Sequence, residues 1–296
     1  DWSSDVCSSD LLGKTDIGQI IPRAGDQGID NVIAWLKETD SVYKVASLLR
    51  EKGGEKTQKE VAKILLEKAN EQHPDLSDSL LAAVVKTEHE VIVPYLKKAI
   101  QDPKSSPKTI DQAMEAIKKI QGQRASAFFS KLISEHPGKL RWAAVNDLVN
   151  LRGKAGLLST GAALPIDKEA YVEEAKEGKT FKSNASWFAS FYIGEMVDGG
   201  VSNVSGTLIR ALESERWPLK VLGLMSTARA HACATVPEEC GASDKTEDLL
   251  GERSGDVLEA VKKLTSSREE IPTWDGETKH IGELAHDVAN GLEEKK

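Results

Sequence analysis

Apolar residues return at helical spacing, i, i+3, i+4 and i+7, along nearly the whole chain, and the runs are short and divided by short polar breaks. Ile29, Val32, Ile33 and Leu36 share one face. Asp40-Ser41 supplies a break and an N-cap before Val42, Val45, Ala46 and Leu49, and Gly53-Gly54 stops that run. Residues 56–70 repeat the scheme with Val61, Ile64 and Leu65, and His73-Pro74-Asp75 separates them from Leu80, Leu81, Val84 and Val85. The next pair is the clearest. Residues 90–100 carry Val91, Tyr95, Leu96 and Ala99 inward, Asp102-Pro103 and Ser106-Pro107 form the turn, and Ile110, Ala113, Met114, Ile117 and Ile120 make the second stripe. Residues 123–134 and 140–151, parted by His136-Pro137-Gly138, predict another pair.

Residues 153–183 are less regular, with glycines, Pro165 and the small-residue run 159–163, and they read as an irregular insertion holding one short helix at 170–175. Helices are expected again at 185–196, 204–212, 218–230, 257–264 and 279–292, and strand signals are scarce. The pattern predicts an all-α fold in which helix, break and helix alternate.

Aligning the second helix of each pair places a small residue at one position: Ser47, Ala83, Ala113, Ala144, Ser190 and Gly223, spaced 36, 30, 31, 46 and 33 apart. The apolar residues Leu48, Val84, Met114, Val145, Phe191 and Leu224 follow them. Supersecondary units repeating every 20 to 50 or so residues are the mark of stacked repeat arrays. The segment EVIVPYLKKAIQDP, from Glu90 to Pro103, resembles a first helix of the HEAT-repeat family, with Pro94 bending it. WPLKVLGLM, from Trp217, and KLRWAAVNDLVNL, from Lys139, are similar to the second HEAT helix with its apolar-basic dipeptide, Leu219-Lys220 and Leu140-Arg141. Ile110 and Trp187 depart from that motif where a basic residue is usual. The resemblance implies an α-solenoid of about six to seven antiparallel helix pairs over residues 28–292 as a single domain, and a scaffold that binds a protein or peptide partner on its concave face. It also implies an alternative, a HEAT-like lyase or accessory protein acting on a modified or pigment-bearing protein.

Composition narrows the picture. Of 296 residues 40% are hydrophobic, which is enough for a core, and no apolar run approaches the roughly 20 residues of a spanning helix. A formal charge of −8, with acids and bases well mixed, gives no electrostatic reason to expect nucleic acid as partner. Residues 1–11, DWSSDVCSSDL, have no apolar period and resemble, residue for residue, a translated sequencing adapter, so an artefact is expected there. Without Asp1, Asp5 and Asp10 the charge is −5, and without Cys7 only Cys233 and Cys240 remain. Residues 12–27 are expected to be a poorly structured lead-in and 293–296 a charged tail. The expectation follows that a natural N-terminus, with any signal peptide or lipid anchor, preceded residue 12.

Catalytic patterns fail one by one. A phosphate-binding loop needs glycine five positions before Gly-Lys-Ser/Thr, but Gly13-Lys14-Thr15 has Ser8 there and Gly178-Lys179-Thr180 has Glu173. Ser159 has Gly161 after it but Leu157 before it, which breaks the nucleophile elbow. Glu283 and His286 share a helical face near His280, yet a dinuclear carboxylate site needs a second such motif and none stands out. A solvated polar face is the favoured reading. No catalytic residue, metal or cofactor is expected.

Cys233 and Cys240 lie in CATVPEEC, where Pro237 supports a turn and a small disulfide ring is sterically reasonable. Two free thiols and a metal site shared with His231 are the alternatives. A disulfide would favour an extracytoplasmic, periplasmic or surface location. Trp35, Trp142, Trp187, Trp217 and Trp274 read as packing residues rather than as a binding platform.

Overall fold

A computed structural model describes residues 29–38, 54–72, 78–236, 249–272 and 279–293. Residues 1–28, with the adapter-like segment and the lead-in, lie outside these, as do Ser47, Leu48, Cys240 and Trp274. The described residues are mostly helical, with almost no strand, consistent with an all-α fold. They divide into two compact units, one running to Gly122 and the other starting at Gln123.

In the first unit, helix α1 spans residues 29–38 and buries Ile33 and Leu36. Helix α2, Glu55–Gln72, turns Val61, Ile64, Leu65 and Ala69 onto α3, Asp78–Lys86, which answers with Leu80, Leu81 and Val84. A 3-10 turn, Glu90–Ile92, follows, its first turn closed by the Val91 N–H donating to His89 Nδ1 at 3.1 Å. Helix α4 is Val93–Gln101. Pro94 therefore sits in the first turn, where its missing N–H would have had no helical partner, and starts the helix instead of bending it. Helix α5, Pro107–Gln121, begins on Ser106, whose hydroxyl accepts from the Thr109 N–H at 3.1 Å, with Pro107 at the first helical position. It packs on α4 and on α3 through Ala113, Met114 and Ile117.

The second unit opens with α6, Ser126–Glu135, packed on α7, Lys139–Arg152, across a turn in which Gly138 holds φ +70°. Helix α8, Gly156–Ala163, comes next. This run of small residues was expected to be irregular, and it is helical because its glycines admit its neighbours. A Cβ on Gly156 would stand 2.8 Å from Val149 Cα, and one on Gly161 would stand 2.7 Å from Leu219 Cβ. After a 3-10 turn, Lys168–Tyr171, and a short helix α9, Val172–Lys176, the long helix α10, Phe181–Asp198, starts with a capping box between Thr180 and Ser183.

Helices α11, Ser205–Leu212, and α12, Trp217–Thr235, pack closely, with room at Gly223 for the Ala211 methyl. Helix α13, Ser254–Leu264, packs on α11, and α14, Ile281–Glu293, packs on both α12 and α13. Two-residue strands, β1 (Glu270–Ile271) and β2 (Lys279–His280), pair antiparallel just before α14. Helix α12 touches α8, α10, α11 and α14 and is apolar almost all round, as a helix enclosed by neighbours must be. Among the described residues no helix is long and apolar enough to cross a membrane.

Ala83, Ala113, Ala144 and Gly223 of the small-residue series face inward. Ser190 is exposed, and Ala189 takes the buried place one residue earlier. In α10 the series is thus shifted by one position, and the residue three before the buried one becomes Ser186 instead of Trp187.

Candidate partner-binding face

Residues 164–180 are held to the rest of the second unit through polar anchors as well as apolar ones. The Arg141 Nη1 group donates to Glu174 Oε1 at 2.7 Å and to the Ala170 carbonyl at 2.9 Å, while its Nε donates to the Ile133 carbonyl at 3.0 Å. The ion pair is buried, with the two side chains 2% and 1% exposed, and the guanidinium lies 4.7 Å from the centre of the Tyr171 ring. Arg216 reaches the same segment. It donates from Nε to the Gly161 carbonyl at 3.1 Å and from Nη2 to the Leu164 carbonyl, capping the end of α8. The Tyr171 hydroxyl donates to the Pro165 carbonyl at 2.7 Å and the Trp217 indole to the Ile166 carbonyl at 2.8 Å.

Aromatic rings fill the space behind these bonds. Tyr171, Phe181 and Trp217 form a triangle with centroids 4.6 to 5.6 Å apart and steep interplanar angles. Trp142 meets Phe181 at 6.1 Å and Trp187 edge-on at 6.4 Å. Burial pushes the Tyr171 and Tyr192 hydroxyls well above the ordinary tyrosine range.

At Trp187 the cluster reaches the surface. Trp187 is 44% exposed and stacks on Phe191, with centroids 6.0 Å apart and planes 9° from parallel. Along the same outward stripe of α10 run Ser183, Ser186 and Ser190, small and uncharged. Trp142 and Trp217 are buried as expected, Trp35 is half-buried, and Trp187 departs from the packing role that the sequence suggested.

The other sequence candidates do not assemble. Ser159 lies in α8, and Gly178-Lys179-Thr180 leads into α10. Glu283 and His286 are exposed on α14, where His286 Nδ1 meets Asn290 at 3.1 Å, while His280 lies in β2 with Nδ1 3.0 Å from the Arg268 carbonyl. Among the described residues no group of three or more histidine, cysteine, aspartate or glutamate side chains is placed to hold a metal ion. Cys233 is buried in the last turn of α12 and is disulfide-bonded. Cys240 lies outside the described residues.

Sequence reasoning missed the Arg141–Glu174 pair. Its visible signal was a basic residue three before a buried small one, Arg141 before Ala144. Lys220 before Gly223 repeats it, with Lys220 Nζ meeting Glu269 Oε2 at 2.8 Å. No protein-family model matches the chain, and no curated protein matches it.

Proposed function

We propose that the chain is a non-enzymatic helical-repeat scaffold of the HEAT kind, whose antiparallel helix pairs stack as a solenoid and whose concave face binds a protein or peptide partner. In this reading α7, α10, α12 and α14 are the second helices of successive pairs. The contacts of α7 with α10, of α10 with α12 and of α12 with α14 support it, and so does the repeated basic position at Arg141 and Lys220.

The observation that carries the binding role is the exposed Trp187 ring, stacked on the half-buried Phe191. Large aromatic groups on a rigid helix provide much contact area at little entropic cost, and tryptophan is enriched among residues that dominate binding energy. Trp187 is braced from behind by Trp142, and the serines beside it add no charge that a partner would have to desolvate.

The test is affinity capture with the full chain, run in parallel with Trp187→Ala and with the exposed control Lys131→Ala, which lies in neither site. A protein held by the parent chain and by the control, but lost at least tenfold by Trp187→Ala, supports the reading. Equal capture by all three chains, or turnover of a substrate without any partner, overturns it.

A further inference from the structure

On a different part of the second unit, an open cleft of about 410 Å³ lies between the 3-10 turn Gly153–Ala155 that follows α7, the helix α11 and the 3-10 turn Gly251–Arg253 that precedes α13. Among the described residues six line it, of which Lys154, Arg210 and Arg253 are cations and none is an acid. Their relations differ. Arg253 Nε is 2.9 Å from Asp256 Oδ2, while its Nη1 lies over the first turn of α11, 3.6 Å from where a Gly206 Cβ would be. Lys154 and Arg210 have no carboxylate partner among the described residues, and both are exposed.

The frame beneath is fixed. The Tyr192 hydroxyl holds the Lys154 carbonyl at 2.9 Å, the Ser205 N–H donates to Asn203 Oδ1 at 2.9 Å, and the Ser205 hydroxyl donates to the Leu250 carbonyl. The Thr207 and Leu208 N–H groups both go to the Val204 carbonyl, and the Gly206 N–H has no acceptor among the described residues. An arginine in the last turn of a helix is favoured by the helix dipole, which accounts for Arg210 alone. It does not account for cations from three elements meeting around one cleft.

We propose that this cleft binds a short acidic peptide segment, whose carboxylates take Lys154, Arg210 and the outer face of Arg253, while an aliphatic side chain rests on Ile209. Two features favour this occupant over a nucleic acid. Among the described residues the cleft has no aromatic ring on which a base could stack, so a nucleotide would gain only its phosphate contacts from them. The chain carries −8, or −5 without residues 1–11, so a long polyanion is repelled beyond the cleft, whereas a few carboxylates are neutralised within it. The site is separate from the Trp187 face and goes beyond the partner-binding reading given above.

The experiment is fluorescence anisotropy with the full chain at low salt, using a labelled pentapeptide of alternating aspartate and leucine and a control with asparagine for aspartate. The acidic peptide is expected to bind at least tenfold tighter than the control and to weaken on adding salt. Lys154→Glu and Arg210→Glu are each expected to weaken it at least tenfold with an unchanged circular dichroism spectrum, and Trp187→Ala to leave it unchanged. Equal affinity for the two peptides overturns the proposal, as does binding that survives both charge reversals. Displacement of the peptide by a single-stranded oligonucleotide of higher affinity overturns it in favour of a nucleic-acid site.

Discussion

Arg141 and Glu174 meet at 2.7 Å in the interior of the second unit, each nearly closed off from water, and join α7 to the short helix α9. Removing one member of such a pair leaves a charge without compensation. Glu174→Leu is therefore expected to cost about 3–5 kcal/mol, the usual range for breaking a buried pair. Arg141→Met is expected to cost at least as much, because it also deprives the Ile133 and Ala170 carbonyls of their donor. The double variant should cost far less than the sum of the two, since no charge remains to be buried. Urea unfolding curves of the three variants check this, and additive losses would contradict it.

Two glycines predict opposite outcomes for the same substitution. At Gly161 a methyl group would overlap Leu219, so Gly161→Ala is expected to cost about 1–3 kcal/mol as α8 and α12 are forced apart. At Gly194, within α10, nothing lies within 4 Å of an added Cβ. Gly194→Ala should gain about 0.5–1 kcal/mol from helix propensity. Thermal melts of both variants against the parent decide it, and a destabilised Gly194→Ala would show that the face of α10 is more crowded than it stands here.

The helices were legible where local chemistry sets them. Ser106-Pro107 marks the start of α5 through a cap and a proline at the first position, and the Ala113, Met114 and Ile117 stripe fixes its buried side. Helix α8 was not legible, because its small residues carry no period and its stability comes from fitting against Val149 and Leu219. Nor was the exposure of Trp187. Helix α10 has apolar or small residues on nearly every side, so the sequence does not distinguish a stripe through Ala189 from one through Ser190. The Arg141–Glu174 pair joins residues 33 apart, across a segment whose path the periodicity does not specify.

Trp187 and Trp217 should separate cleanly under truncation. Trp217 is 5% exposed, sits in the ring triangle and donates to the Ile166 carbonyl, so Trp217→Ala is expected to cost about 3–5 kcal/mol. Trp187, 44% exposed, gives up its stacking on Phe191 and its edge on Trp142, worth about 0.5–1.5 kcal/mol each beyond the area it buries. It leaves a smaller cavity, so Trp187→Ala is expected to cost clearly less than Trp217→Ala. Chemical denaturation of the two variants measures the difference. Equal losses would make Trp187 a core residue and remove the reason for assigning it to a binding face.

The buried tyrosines predict an alkaline limit to stability. Tyr171 and Tyr192 donate to the Pro165 and Lys154 carbonyls, and burial disfavours their phenolates, raising both hydroxyls above the ordinary value. Beside Tyr171, Arg141 acts in the opposite sense and Glu174 in the same sense, with burial the larger effect. A group that holds its proton more tightly when folded contributes stability that is complete below its unfolded pKa, here about 10, and is lost as pH rises from there toward the folded value. The urea midpoint is thus expected to fall steadily above about pH 10. Absorbance of tyrosinate near 295 nm in the folded chain should lag behind that of the urea-unfolded chain. Tyr192→Phe should flatten the alkaline slope while costing about 0.5–1.5 kcal/mol at neutral pH for the lost hydrogen bond. A slope that Tyr192→Phe leaves unchanged would place the alkaline sensitivity elsewhere than in the Tyr192 hydroxyl.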